Sequence, residues 1–163
     1  MINNTTIFLN PGEVIISKDP TVIKTVLGSC VAVTLYDKKN KRGGMCHFLL
    51  PNFSQSEVST KYGSVAIPLL IKKFLEMGTK KNNLESKVFG GASVLLDEKE
   101  IFFIGDRNIE LAIRLLKEYS IPIKEMQVGG ETGKIVFFYT DTGQTILKDI
   151  KKMSIKDLYN PTL

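Results

Sequence analysis

The stretch Val31-Ala32-Val33-Thr34-Leu35-Tyr36-Asp37-Lys38-Lys39-Asn40-Lys41-Arg42-Gly43-Gly44-Met45-Cys46-His47-Phe48-Leu49-Leu50 decides the fold. Val31 to Tyr36 and Met45 to Leu50 are apolar runs rich in β-formers, and they flank a polar loop ending in two glycines. Such a pattern predicts two antiparallel strands. The hairpin returns His47 alongside the beginning of the preceding strand, where Cys30 sits, so their sequence separation need not be a spatial one.

Working outward, Glu13 to Ser17 and Val22 to Val26 also read as strands. Pro51 to Lys61 is polar and Ser-rich without periodicity, a candidate flap close to His47. A helix follows, with Ser64 as its cap, Val65, Leu69, Ile71 and Leu75 on its apolar face, Pro68 in its first turn and Met77-Gly78 as its stop. Lys87 to Phe89, Ser93 to Leu96 and Ile101 to Ile104 read as strands interrupted by Gly90-Gly91. A second helix begins near Asp106 or Asn108, where Ile109, Ala112, Ile113 and Leu116 repeat as one buried stripe. Ile123 to Val128, Ile135 to Tyr139 and Thr145 to Ile150 complete the strands. About nine strands and two main helices that do not strictly alternate predict an α+β fold, a layered sandwich with mixed sheets, instead of a doubly wound parallel sheet.

At 163 residues the chain fits a single domain, 1–163, and its 43% hydrophobic content supports a core of its own. No apolar run approaches the roughly 20 residues that span a bilayer. The start, Met1-Ile2-Asn3-Asn4-Thr5-Thr6-Ile7, lacks the pattern of a secretory signal, so a cytoplasmic protein without membrane insertion is expected. The net charge of +5 favours acidic partners, yet the lysines are scattered and no aromatic platform accompanies them, which argues against nucleic acid.

Chemistry concentrates at Leu27-Gly28-Ser29-Cys30 and at His47, the only histidine. An imidazole that takes a thiol proton creates a strong nucleophile, and the turn at Gly28-Ser29 leaves the backbone N–H groups of Ser29 and Cys30 available to a developing oxyanion. The competing reading is structural, since cysteines and isolated histidines beside apolar residues are often simply core. Cys46 precedes His47 on one strand and so faces the opposite way, as core packing. Metal binding is not expected, because Cys30, Cys46 and His47 lack paired ligand spacing and a fourth ligand. Gly90-Gly91 and Gly129-Gly130 match no phosphate-loop pattern and read as tight turns.

The segments Leu27-Gly28-Ser29-Cys30-Val31-Ala32-Val33 and Gly44-Met45-Cys46-His47-Phe48-Leu49-Leu50-Pro51 resemble those of CheD, the chemoreceptor glutamine deamidase family. Tyr62, Gly90-Gly91-Ala92-Ser93, Ile104-Gly105-Asp106-Arg107-Asn108 and Gly129-Gly130 extend the similarity over nearly the whole chain, although Gln127-Val128 stands where the family commonly has Asp-Thr. The resemblance implies a sandwich related to toxin-type cysteine deamidases, with Cys30 as nucleophile, His47 as base and no cofactor. Its substrates would be glutamine side chains of methyl-accepting chemotaxis receptors, and the phosphatase CheC a further partner. The family's site threonine lies six residues before the cysteine, which is Lys24 here. Thr25 presented by a bulge or register shift, Thr21 or another group, or a pair working alone are the alternatives. A noncatalytic binder of receptor or CheC, and a transglutaminase-like enzyme, are the competing functions.

Overall fold

The computed structural model describes residues 4–52, 57–93 and 103–163. Two sheets and a helical layer stack on one another. One sheet has four strands in the order β1 (Thr5–Phe8), β3 (Thr21–Leu27), β8 (Gly133–Tyr139) and β9 (Thr145–Ile150). The other has five, in the order β2 (Val14–Ser17), β5 (Arg42–Phe48), β4 (Val31–Asp37), β6 (Leu84–Gly90) and β7 (Ile123–Val128). β1 with β3 and β6 with β7 are parallel, and the remaining pairs are antiparallel. The helices α1 (Gly63–Glu76) and α2 (Ile104–Glu118) lie on the five-stranded sheet. The architecture is the α+β sandwich with mixed sheets expected from the sequence.

The five-stranded sheet is covered on both faces, and strand alternation divides its residues between two cores. Val31, Val33, Cys46, Phe48 and Val88 pack with Ala66, Leu70, Phe74, Leu111 and Leu116 in the helix-side core. Cys30, Ala32, Met45 and Phe89 turn the other way, against Ile23, Leu27, Val136 and Phe138 of the four-stranded sheet. β3 is buried along its whole length, with the C-terminal turn Ile155–Tyr159 against it.

The hairpin is tighter than expected. Asp37 closes β4, and its carboxylate accepts hydrogen bonds from the Lys39 and Asn40 amides, the Asn40 side chain and the Thr79 hydroxyl. The turn shrinks to a few residues with Lys41 at φ 50°, and Gly43 and Gly44 become strand. A Cβ on Gly43 would lie 2.7 Å from the Phe138 ring, so the glycines serve close sheet packing more than the turn. Leu49 and Leu50 leave the strand instead of extending it, their amides bonding the Lys61 carbonyl. β1 was not anticipated: it is a short, half-exposed edge strand without a complete apolar face.

Both helices start earlier than their polar residues suggest. α1 begins at Gly63 with Tyr62 as its cap, so Pro68 is the sixth helical residue and lies beyond the first turn. Its buried face is Gly63, Ala66, Ile67, Leu70, Ile71 and Phe74, leaving Leu75 exposed. α2 begins at Ile104, and Phe103 is its cap, which corrects the strand expected at the end of 101–104. Residues 101–102, most of the Ser93–Leu96 strand and four residues of the Pro51–Lys61 segment lie outside the described residues.

Candidate active site

β4 and β5 pair with Ala32 opposite His47, and Cys30 is two residues before Ala32. Cys30 and His47 are therefore diagonal neighbours on one face of the five-stranded sheet, roughly 7 Å apart at the backbone. That face meets the four-stranded sheet. Cys46, opposite Val33, sits in the helix-side core as expected, and both cysteines are free thiols.

The facing strand supplies a third group. Thr25 shares the inner face of β3 with Ile23 and Leu27, and its Oγ1 lies 2.7 Å from His47 Nδ1. No bulge is needed, since Thr25 pairs in regular register with Val136. Lys24 takes the other face, where its Nζ donates to the Pro161 and Leu163 carbonyls. Thr21 is spoken for elsewhere, with Ser17, Asp19 and the Thr140 hydroxyl.

Proton direction follows from the donor inventory. The Thr25 hydroxyl donates its single hydrogen to the Leu9 carbonyl at 2.8 Å. Toward His47 it can only accept, so Nδ1 carries the imidazole hydrogen and Nε2 keeps a lone pair. Nε2 is buried and makes no hydrogen bond among the described residues. Burial of the ring holds His47 down at about 3, from an ordinary 6.5. Burial also pushes the Cys30 thiol up to about 12, offset only in part by hydrogen bonding with the Cys30 and Gly28 backbone. The resting pair is thus a neutral thiol and a neutral imidazole.

The turn carrying Cys30 is held by all three of its carbonyls. Ala92 N donates to Gly28 O at 2.9 Å, Gly91 N to Cys30 O at 2.8 Å, and Asn108 Nδ2 to Ser29 O at 3.0 Å. Gly90 and Gly91 have φ of 102° and 68°, and a Cβ on Gly90 would come within 2.3 Å of Cys30 O. Gly129 N in turn bonds Gly90 O, and Ser93 N bonds Gly130 O. Gly90 closes β6 opposite Val31 and Val128, so the first glycine pair lies at a strand end that seats the Cys30 loop instead of forming the tight turn expected, and Gly129 is tied to it through Gly90 O.

Sequence reasoning missed Asn108 and Leu9. Asn108 precedes Leu111 and Ala112 by three and four residues, so the helical period already put its amide on the buried face. The Leu9 carbonyl leaves no mark in sequence. Cys30 is buried, at 2% exposed, beside a half-buried Ser29. The described concavity nearest in chain, about 500 Å³ lined by Pro51, Asn52, Arg107, Glu110, Leu111 and Arg114, includes neither Cys30 nor His47. Among the described residues there is no cluster suited to a metal ion, and no helix is long and apolar enough to cross a membrane.

Comparison with known proteins converges on one family. The family model described as "CheD chemotactic sensory transduction" matches residues 49–149. The chain is similar to "Probable chemoreceptor glutamine deamidase CheD 1" of Anaeromyxobacter dehalogenans, 41% identical over 88% of this chain and 84% of that protein. Similar too is "Probable chemoreceptor glutamine deamidase CheD" of Rhodospirillum rubrum, at 41% over 93% of this chain and 86% of the relative. The protein of that name in Trichlorobacter lovleyi is 42% identical over 86% of this chain and 88% of its own length. The family model starts just past His47, but an alignment over 93% of the chain leaves too few residues outside it to omit Cys30. With likeness on this scale, the chain belongs to the CheD family.

Proposed function

We propose that this protein is a chemoreceptor glutamine deamidase in which Cys30 is the nucleophile, His47 the proton carrier and Thr25 the group that orients it. The observation that carries the reading is the chain from the Leu9 carbonyl through Thr25 to His47, which leaves Nε2 unpaired on the face that Cys30 shares. The names of the relatives supply the substrate: glutamine side chains of chemotaxis receptors.

In the proposed reaction His47 Nε2 takes the Cys30 proton as sulfur bonds to the carboxamide carbon. The carbonyl oxygen becomes an oxyanion facing the Ser29 and Cys30 amides. His47 returns the proton to nitrogen, the C–N bond breaks and ammonia leaves a thioester. Water, deprotonated by the same imidazole, then displaces the thiol and leaves glutamate. Because burial disfavours a standing thiolate–imidazolium pair, the proton moves with the attack and not before it. The direct test incubates the protein with receptor fragments and reads peptide masses. Conversion of glutamine to glutamate is the expected result; an amine adduct would instead indicate transglutamination.

The near-complete burial of Cys30 favours a second reading, in which the same fold binds a receptor or a CheC phosphatase without turnover. Unmodified peptides in the mass assay, despite stable binding, would select it. Thr25 also separates the two. Thr25→Val keeps the shape and deletes the hydroxyl, leaving Nδ1–H and the Leu9 carbonyl unpaired, so activity should fall about 10²-fold while Thr25→Ser retains most of it. Equal activity in both variants would remove Thr25 from the mechanism.

A further inference from the structure

We propose that Asn108 is a positioning residue for the reaction: by pinning the Ser29 carbonyl it aims the Cys30 amide at the developing oxyanion. The proposal rests on the deamidase reading above. Asn108 is fully buried near the start of α2, and its Nδ2 donates two hydrogen bonds, to Ser29 O and to Leu49 O, each 3.0 Å long. One amide group thus ties the turn before the nucleophile to the segment just after the base.

The Ser29–Cys30 peptide is trans, so its carbonyl and its N–H point to opposite sides of one rigid plane. A donor that holds the Ser29 oxygen therefore sets where the Cys30 N–H points. The neighbouring plane is treated alike, since Ala92 N holds Gly28 O and so directs the Ser29 N–H. Both proposed oxyanion donors are aimed from behind, by groups that never touch the substrate. Of these two anchors the first is a side chain and can be altered without breaking the main chain.

The orientation of the Asn108 amide is forced. Turned over, it would set Oδ1 against two carbonyl oxygens; as placed, both hydrogens of Nδ2 are used and Oδ1 has no partner among the described residues. The side chain is used wholly as a two-hydrogen donor to the flanks of the catalytic pair.

The test compares two reactions of the same thiol. Deamidation of a receptor fragment develops an oxyanion, whereas alkylation of Cys30 by iodoacetamide is a displacement at a saturated carbon and develops none. Asn108→Ala should lower kcat for deamidation about 10²-fold with KM little changed. Its Cys30 alkylation rate, read by peptide mass, should stay within about twofold of the unsubstituted protein. Asn108→Ser, which keeps one donor and demands less of the fold, should fall between the two, and near-UV circular dichroism checks that each variant is folded. Deamidation and alkylation changing together would mean a structural role and overturn the assignment, as would an unchanged kcat in Asn108→Ser if the alanine variant does not fold. No conversion by the unsubstituted protein would overturn the deamidase reading and this assignment with it. Conversion that is indifferent to both substitutions overturns the assignment alone.

Discussion

Cys30→Ala should abolish conversion of receptor glutamine, a loss of about 10⁴-fold or more, because no other described group on that face can form the thioester. Cys46→Ala should keep its activity. Its thiol faces α1 and α2, is fully buried and lies behind the sheet from the site, so truncation costs core packing and lowers Tm by a few degrees without touching the chemistry. The pair of variants separates nucleophile from filler on opposite faces of one sheet. Loss of activity in Cys46→Ala alone, with the fold intact, would move the nucleophile to that residue.

The second large effect concerns acid stability. His47 takes up its proton at about 3 in the folded chain and near 6.5 when unfolded. Between those values the unfolded state binds a proton that the folded state refuses, so stability rises with pH through this window and is lost as pH falls through it. From about pH 7 to about pH 4 this single ring should cost on the order of 3 kcal/mol of unfolding free energy. His47→Asn cannot titrate, yet its amide can still donate toward Thr25. Its denaturation midpoint should therefore change less over that range than the parent's, even if its stability at neutral pH is lower. Parallel curves would show that folding leaves the proton affinity of the imidazole unchanged, and would remove the buried, neutral-held base from the mechanism. The same depression implies no acidic limb in the rate from about pH 5 to pH 8, where an ion pair as the active form would give a bell.

What was legible in the sequence is whatever a single strand or hairpin encodes. Alternation placed Cys46 opposite to His47, and the return of the hairpin brought His47 back toward Cys30. Thr25 was not decidable. The pattern Thr21–Leu27 says which residues share a face, but not which face of a strand buried on both sides will meet the other sheet. A one-residue offset does reverse the side chain: Lys24 points away to the C-terminal carbonyls, and the threonine that serves His47 is the adjacent residue. Asn108 was hidden by a different cause. The stripe was counted from apolar residues alone, so the polar member at the same period dropped out, and the buried face of α2 runs through Asn108, Leu111, Ala112 and Leu116. Gly43-Gly44 looked like the end of a loop because nothing local tells a glycine that permits a turn from one that admits an aromatic ring.

Thr25 belongs to one sheet and His47 to the other, joined by a bond of 2.7 Å that crosses the sandwich seam. The choice of imidazole tautomer is therefore a property of how two layers are spaced, and neither layer possesses it by itself. A chain that has its strands but not yet its mated layers would hold cysteine and imidazole without the contact that assigns the ring its proton, so the neutral base of the proposed mechanism arrives only with the docking of the sheets.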